Sequence, residues 1–243
     1  MANFNTHFSC AAVQSGVIVS GLLALGHVEP GEALLGFALG TAGGLAPDLD
    51  AERSTPVSIA FSVLAVLLAF MAVFAVADRL SIVESVLLWL ILYAVVRVGF
   101  AHLFAAITVH RGMYHSVPAA LLAGVLVANG LHGVFGQTAF ISCLYGLIVS
   151  LAYVQHLLLD ELVSVNLTGR RIKRSFGTAL KFYDARNGFA SVLTWLLLAV
   201  AMAIAPDPMP LLALFTEQDL LGAFGDRLLP DGVWFNGLVN RGP

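Results

Sequence analysis

The chain has 243 residues, 59% of them hydrophobic and 11% charged, with a formal net charge of −3 at pH 7. An ordinary soluble domain carries about 25% charged residues, so this chain has too little polar surface to wet a globule, which argues against a soluble enzyme or a disordered tail. A pI near 6.1 gives no basic excess, which argues against nucleic acid as a partner.

A mean hydropathy of +0.90 leaves one class, an all-α polytopic helical membrane protein. A spanning helix needs about 20 mostly apolar residues. Residues 9–26 make the first candidate, and no Lys or Arg precedes them, so no cleavable signal peptide is expected. Residues 32–46 make a second, short and Gly-rich, which stops at Gly43-Gly44 and Pro47. Residues 56–77 hold no Asp, Glu, Lys or Arg. Residues 82–108 form a long fourth span, interrupted by Glu84, Arg97 and His102. Spans 117–131 and 138–163 follow, divided by the turn signals Asn129-Gly130 and Gly136. Residues 188–205 make a seventh. Beyond Pro206, residues 211–229 read as an amphipathic helix at the interface. The expected organisation is a transmembrane domain over 1–205 and a C-terminal interfacial tail over 206–243. Cys10 and Cys143 lie in apolar segments and read as buried thiols.

Orientation follows from Lys and Arg. The loop 164–187 carries Arg170, Arg171, Lys173, Arg174, Lys181 and Arg186, half of the 12 in the chain. This places the loop in the cytoplasm. Counting spans backwards puts residues 109–116, 47–55 and the N-terminus on the same side.

Ionisable residues at membrane depth are costly and mark function by default. Here they gather on that one side. His7 opens the first span, and Asp48 and Asp50 follow the second in Pro47-Asp48-Leu49-Asp50. His110 and His115 stand between spans four and five, in His110-Arg111-Gly112-Met113-Tyr114-His115-Ser116. His156 and Asp160 lie near the cytoplasmic end of span six. Imidazole nitrogen and carboxylate oxygen together suit Zn²⁺, Mn²⁺ or Fe²⁺. His156 and Asp160, four apart, share one helix face. Positions five apart diverge by about 140° on a straight helix, so His110 and His115 need a break, which Gly112 permits. Seven candidate ligands exceed one catalytic zinc, which takes three plus water. They suit two divalent ions, Zn²⁺ first, an arrangement used for hydrolysis at phosphorus. Arg111 presents a planar fork matched to phosphate. His102 reads as a packed histidine, and His27 and His132 fall on the opposite side.

The ordered set His7, Pro47-Asp48-x-Asp50, His110-Arg111-Gly112-x-x-His115-Ser116 and His156-x-x-x-Asp160 resembles the YdjM/YbcI-like family of bacterial inner-membrane metal-dependent hydrolases. The resemblance covers roughly residues 1–165. It implies a multi-pass protein of the bacterial inner membrane. It also implies distant similarity to zinc-dependent phospholipase C and related nucleases, hence phosphoester chemistry. Met113 and Tyr114 stand where members often carry Phe or Thr, and Tyr114 reads either as a substrate contact or as an interfacial anchor.

The expected activity is metal-dependent cleavage of a phosphoester in a lipid or amphiphile at the cytoplasmic interface. His7, Asp48, Asp50, His110, His115, His156 and Asp160 are the expected metal ligands. Asp48, Asp50, Arg111 and Asp160 are the expected catalytic groups, one aspartate serving as general base. The basic loop 164–187 is expected to attract anionic lipid at about 1 kcal/mol per Lys or Arg. No obligate protein partner is expected. Two rivals remain. The same ligands serve hydrolysis of an amide or acyl ester, and they also serve a non-catalytic metal transporter or sensor.

Overall fold

The first helix begins earlier than the apolar run. The Asn3 side chain accepts from the Thr6 backbone N–H at 2.8 Å, a cap that satisfies one of the orphan donors of a helix start. Helix α1 therefore runs Phe4–Ala24 and carries His7 on its first turn. In this computed structural model the described residues are 3–50, 82–95, 113–166, 171–172 and 180–216, with single positions at 65, 66, 69, 70, 73, 222, 223 and 225.

Helix α2, Pro30–Leu45, opens with Pro at its first position and a capping box between Glu29 and Glu32. It passes into a 3₁₀ turn, Ala46–Asp50. Helix α3 is Ile82–Ala94, α4 is Val117–Gly133 and α5 is Ala139–Ser164. The basic loop opens with a short antiparallel ribbon, β1 Val165–Asn166 against β2 Arg171–Ile172. Helix α6 is Gly188–Ala203 and α7 is Met209–Thr216. Among the described residues the chain is all-α apart from that ribbon. Described helices match the expected spans to within about two residues, with two exceptions: α1 starts five residues earlier than expected, and α3 is only the described part of the fourth. Span three lies outside the described residues except for its single positions.

Among the described residues, two helices are long and apolar enough to cross a membrane, Phe4–Ala24 and Ala139–Val163. Helices α4 and α6 are apolar but have 17 and 16 residues. At 1.5 Å per residue they reach about 25 Å, short of a hydrocarbon core of about 30 Å. The outward faces of α1, α4 and α6 are apolar: Val13, Val17, Leu126, Leu196 and Val200 are all exposed.

Helix α5 is the centre. It packs against α1, α2, α4 and α7, and α6 packs on α4. Tyr145, Ile148, Tyr153 and Leu157 are its buried residues of greatest volume. Helix α7 belongs to the same core, since Leu211 and Leu214 are buried with Leu131 and Ile141. The beginning of the tail is thus packed on the bundle.

Small residues bring these helices close. A Cβ on Gly40 would collide with Ser15 of α1 and Ile148 of α5, and one on Gly44 would collide with Ala11. At the crossing of α4 and α5, Gly124 and Gly146 face each other, and a Cβ on Gly146 would lie 2.6 Å from the Gly124 carbonyl. In lipid-like surroundings helix association depends on such close packing. Gly124→Leu is expected to lower the thermal unfolding midpoint in detergent, at an overpacking cost of about 1–3 kcal/mol. Gly130→Ala, whose Cβ meets nothing within 4 Å, is expected to unfold at or above wild type, because Ala is about 1 kcal/mol better than Gly within a helix. Equal midpoints for the two variants would contradict this packing.

Candidate metal centre

The helices alternate in direction, so the start of α1, the end of α2, the start of α4 and the end of α5 meet at one end of the bundle. Each brings a ligand type. His7 sits on the first turn of α1 and is buried. Asp48 lies on the 3₁₀ turn after α2. His115 precedes Ser116, whose hydroxyl caps α4 by accepting from the Ala119 N–H at 3.3 Å. His156 and Asp160 lie one turn apart on α5, and both are buried.

Two groups of three have ligand atoms all within 4.8 Å of one another: His7, His156 and Asp160, and Asp48, His115 and His156. His7 Nε2 is 3.3 Å from Asp160 Oδ1. His156 Nε2 is 3.4 Å from Asp48 Oδ1 and 3.9 Å from Asp160 Oδ2. The His7 and His156 rings stack with centroids 3.6 Å apart and planes 11° apart. The His115 ring meets His156 edge-on, 6.1 Å away at 68°. Asp48 is the most open of the ligands, its side chain 21% exposed against 7% for Asp160.

One hydrogen bond orients the centre. His156 Nδ1 lies 2.7 Å from the Gly44 carbonyl oxygen. A carbonyl has no proton to give, so Nδ1 carries the hydrogen and donates it. Gly44 belongs to the last turn of α2, where carbonyls lack helical partners. The bond leaves the Nε2 lone pair facing the carboxylates, the arrangement in which a backbone carbonyl fixes a ligating imidazole.

The donor set fits a divalent transition metal. Both ring nitrogens of His7 and Nε2 of His156 are buried and make no hydrogen bond. Buried nitrogens without partners are rare and call for an ion or another specific role. Nitrogen and carboxylate donors without thiolate suit Zn²⁺, Mn²⁺ or Fe²⁺. His156 has one lone pair left, so it serves one ion only, although both groups contain it. A second ion would draw on Asp48, His115 and residues such as Asp50 and His110. The side chain of Asp50 and all of His110 and Arg111 lie outside the described residues, as do His102 and most of the basic cluster at 170–174.

Burial pushes the Asp48 carboxyl up, and His156 and His7, whenever their rings carry a proton, outweigh it and hold the group below the ordinary carboxylate range. In the loop before α6, the Lys181 ammonium bonded to Asp184 at 2.9 Å pulls that carboxyl down, against a smaller opposing effect of burial. Val117 N–H donates to the Lys181 carbonyl at 3.2 Å, which lays the end of the basic loop beside the start of α4.

Two tyrosines were not assigned a clear role by sequence. The Tyr114 hydroxyl donates to the Ala46 carbonyl at 2.8 Å, and the Tyr153 hydroxyl donates to the Tyr114 carbonyl at 2.7 Å. Neither tyrosine carries a spacing signal that could reveal such bonds. His132 stands at the opposite end of the bundle, its ring bonded to the Gln137 carbonyl.

Comparison with protein-family models, curated proteins and solved structures finds no match. The described residues form a helical bundle with a buried His/Asp cluster at one end.

Metal binding releases protons from its ligands, so affinity for Zn²⁺ is expected to fall between about pH 7.5 and about pH 5.5. Calorimetric titration at the two pH values checks this, and equal affinities would contradict an imidazole-rich ligand set.

Proposed function

We propose that the chain is a multi-pass protein of the bacterial inner membrane with about seven spans and a cytoplasmic N-terminus. In this reading it is a metal-dependent hydrolase, similar to the YdjM/YbcI-like proteins, that cleaves a phosphoester of a lipid or amphiphile at the cytoplasmic interface. The observation that carries the reading is the convergence of His7, Asp48, His115, His156 and Asp160 from four separate segments, with buried ring nitrogens left unbonded. The position at a bundle end also supports an interfacial substrate, since a transport path would need ligands along the helices as well.

His7, His156 and Asp160 hold one divalent ion, and Asp48 and His115 share it or hold a second with Asp50 and His110. When bound, such ions activate water and neutralise charge on phosphoryl oxygens. The Gly44 carbonyl keeps His156 in the tautomer that ligates. Asp160 Oδ1, 3.3 Å from His7 Nε2, shares that ion with it. Asp48, the more open of the two aspartates with described side chains, is placed to take a proton from the attacking water, as a general base must be. Arg111 orients the anionic head group. The cations of loop 164–187 raise the local concentration of anionic lipid, and Phe182 and Tyr183 beside Lys181 are exposed, as suits an interfacial aromatic belt.

Elemental analysis of detergent-purified protein is expected to find zinc, manganese or iron, with His156→Ala and Asp48→Ala both depleted. Incubation with a total lipid extract, followed by mass spectrometry, is expected to show loss of a phospholipid with wild type and not with His156→Ala. Full metal content in both variants would contradict the proposal. Release of fatty acid or amine without a phosphorylated product would move the chemistry to acyl-ester or amide bonds.

A further inference from the structure

The ligands differ in how they are held. His7, His156 and Asp160 stand on helices α1 and α5, whose backbone bonds fix them. Asp48 stands on a five-residue 3₁₀ turn and His115 on the turn before α4, and short 3₁₀ segments have poorer hydrogen-bond geometry. Tyr114 joins these two weaker segments. Its hydroxyl donates to the carbonyl of Ala46, two residues before Asp48, at 2.8 Å. Its own backbone is the residue before His115. Its carbonyl accepts from Tyr153 at 2.7 Å, and Tyr153 is fully buried on α5, three residues before His156. The two tyrosine rings meet edge to face with centroids 5.8 Å apart. The Ser116 hydroxyl donates to the Met113 carbonyl and closes the same turn.

We propose that Tyr114, seated by Tyr153, is a positioning residue that ties the Asp48 turn to the His115 turn and sets both ligands on the same ion. The inference rests on the metal-centre reading above. It assigns Tyr114 neither to substrate nor to the lipid interface. Residues that orient ligands in this way typically change metal affinity by about 10–100-fold when removed.

The test is titration of the full-length protein in detergent with Co²⁺, read by its visible absorption, which reports the donors around the ion. Tyr114→Phe is expected to lose about 10–100-fold in Co²⁺ affinity and to change the spectrum. Tyr153→Phe is expected to move in the same direction. Tyr145→Phe is the control. The Tyr145 hydroxyl donates to the Glu32 carbonyl at 2.8 Å, an equivalent bond at the far end of α2. That variant is expected to keep wild-type affinity and spectrum while losing a similar amount of thermal stability. A merely structural tyrosine would shift the unfolding midpoint and leave Co²⁺ binding unchanged. Wild-type affinity and spectrum in Tyr114→Phe, or an equal loss in Tyr145→Phe, would overturn the proposal. A wild-type protein that binds no Co²⁺ would remove the metal-centre reading and this inference with it.

Discussion

The absence of a side chain at Gly44 is the constraint on which the centre depends. It lets the last turn of α2 lie against Ala11 of α1, with the Ala152 carbonyl of α5 3.5 Å from where a Cβ would stand. That approach brings the Gly44 carbonyl to His156 Nδ1 at 2.7 Å. The bond leaves Nε2 as the only free lone pair of the ring, aimed at Asp48 and Asp160. Gly36, Gly40 and Gly43 extend the same contact along α2 toward Tyr145, Ile148 and Val149. Packing and site chemistry are therefore one problem here. A methyl group at position 44 would push α2 away and turn the imidazole loose.

Burying three imidazoles and a carboxylate costs free energy unless they are compensated. Asp160 and Asp48 approach Nε2 atoms at 3.3 to 3.9 Å, which is long for charge-assisted hydrogen bonds of about 2.7–2.9 Å. Distances of this kind leave room for an ion between the donors. The proposed location at the cytoplasmic end of the bundle also relieves the penalty, because Asp48 keeps contact with water while the histidines do not. An amphiphile with an anionic head group suits the proposed boundary, with its tail beside the apolar helix faces.

Much of the helix plan was legible in the sequence, because apolar runs and Gly/Pro punctuation are local signals. Spans 117–131 and 188–205 correspond closely to α4 and α6. The start of α1 was misplaced by five residues, because Asn5, Thr6 and His7 interrupt the apolar run and the Asn3 cap acts through hydrogen bonding instead. The gathering of His7, Asp48, His115, His156 and Asp160 was legible from the expected alternation of spans, which returns those positions to one end. The tyrosine bonds were not legible, since a hydroxyl reaching a carbonyl 68 residues away leaves no periodic trace. Nor was the limit on His156, which follows only from the carbonyl facing its other nitrogen. The Gly-rich character of α2 was visible, but its purpose appears only when Ser15, Ile148 and Ala11 are seen at the missing Cβ positions.

The most direct test of the buried centre is X-ray absorption at the zinc edge of the purified, zinc-loaded protein. The account predicts nitrogen and oxygen donors at about 2.0–2.2 Å, with outer-shell scattering from at least two imidazoles and no sulfur at about 2.3 Å. A shell without imidazole scattering, or one containing sulfur from Cys10 or Cys143, would contradict it.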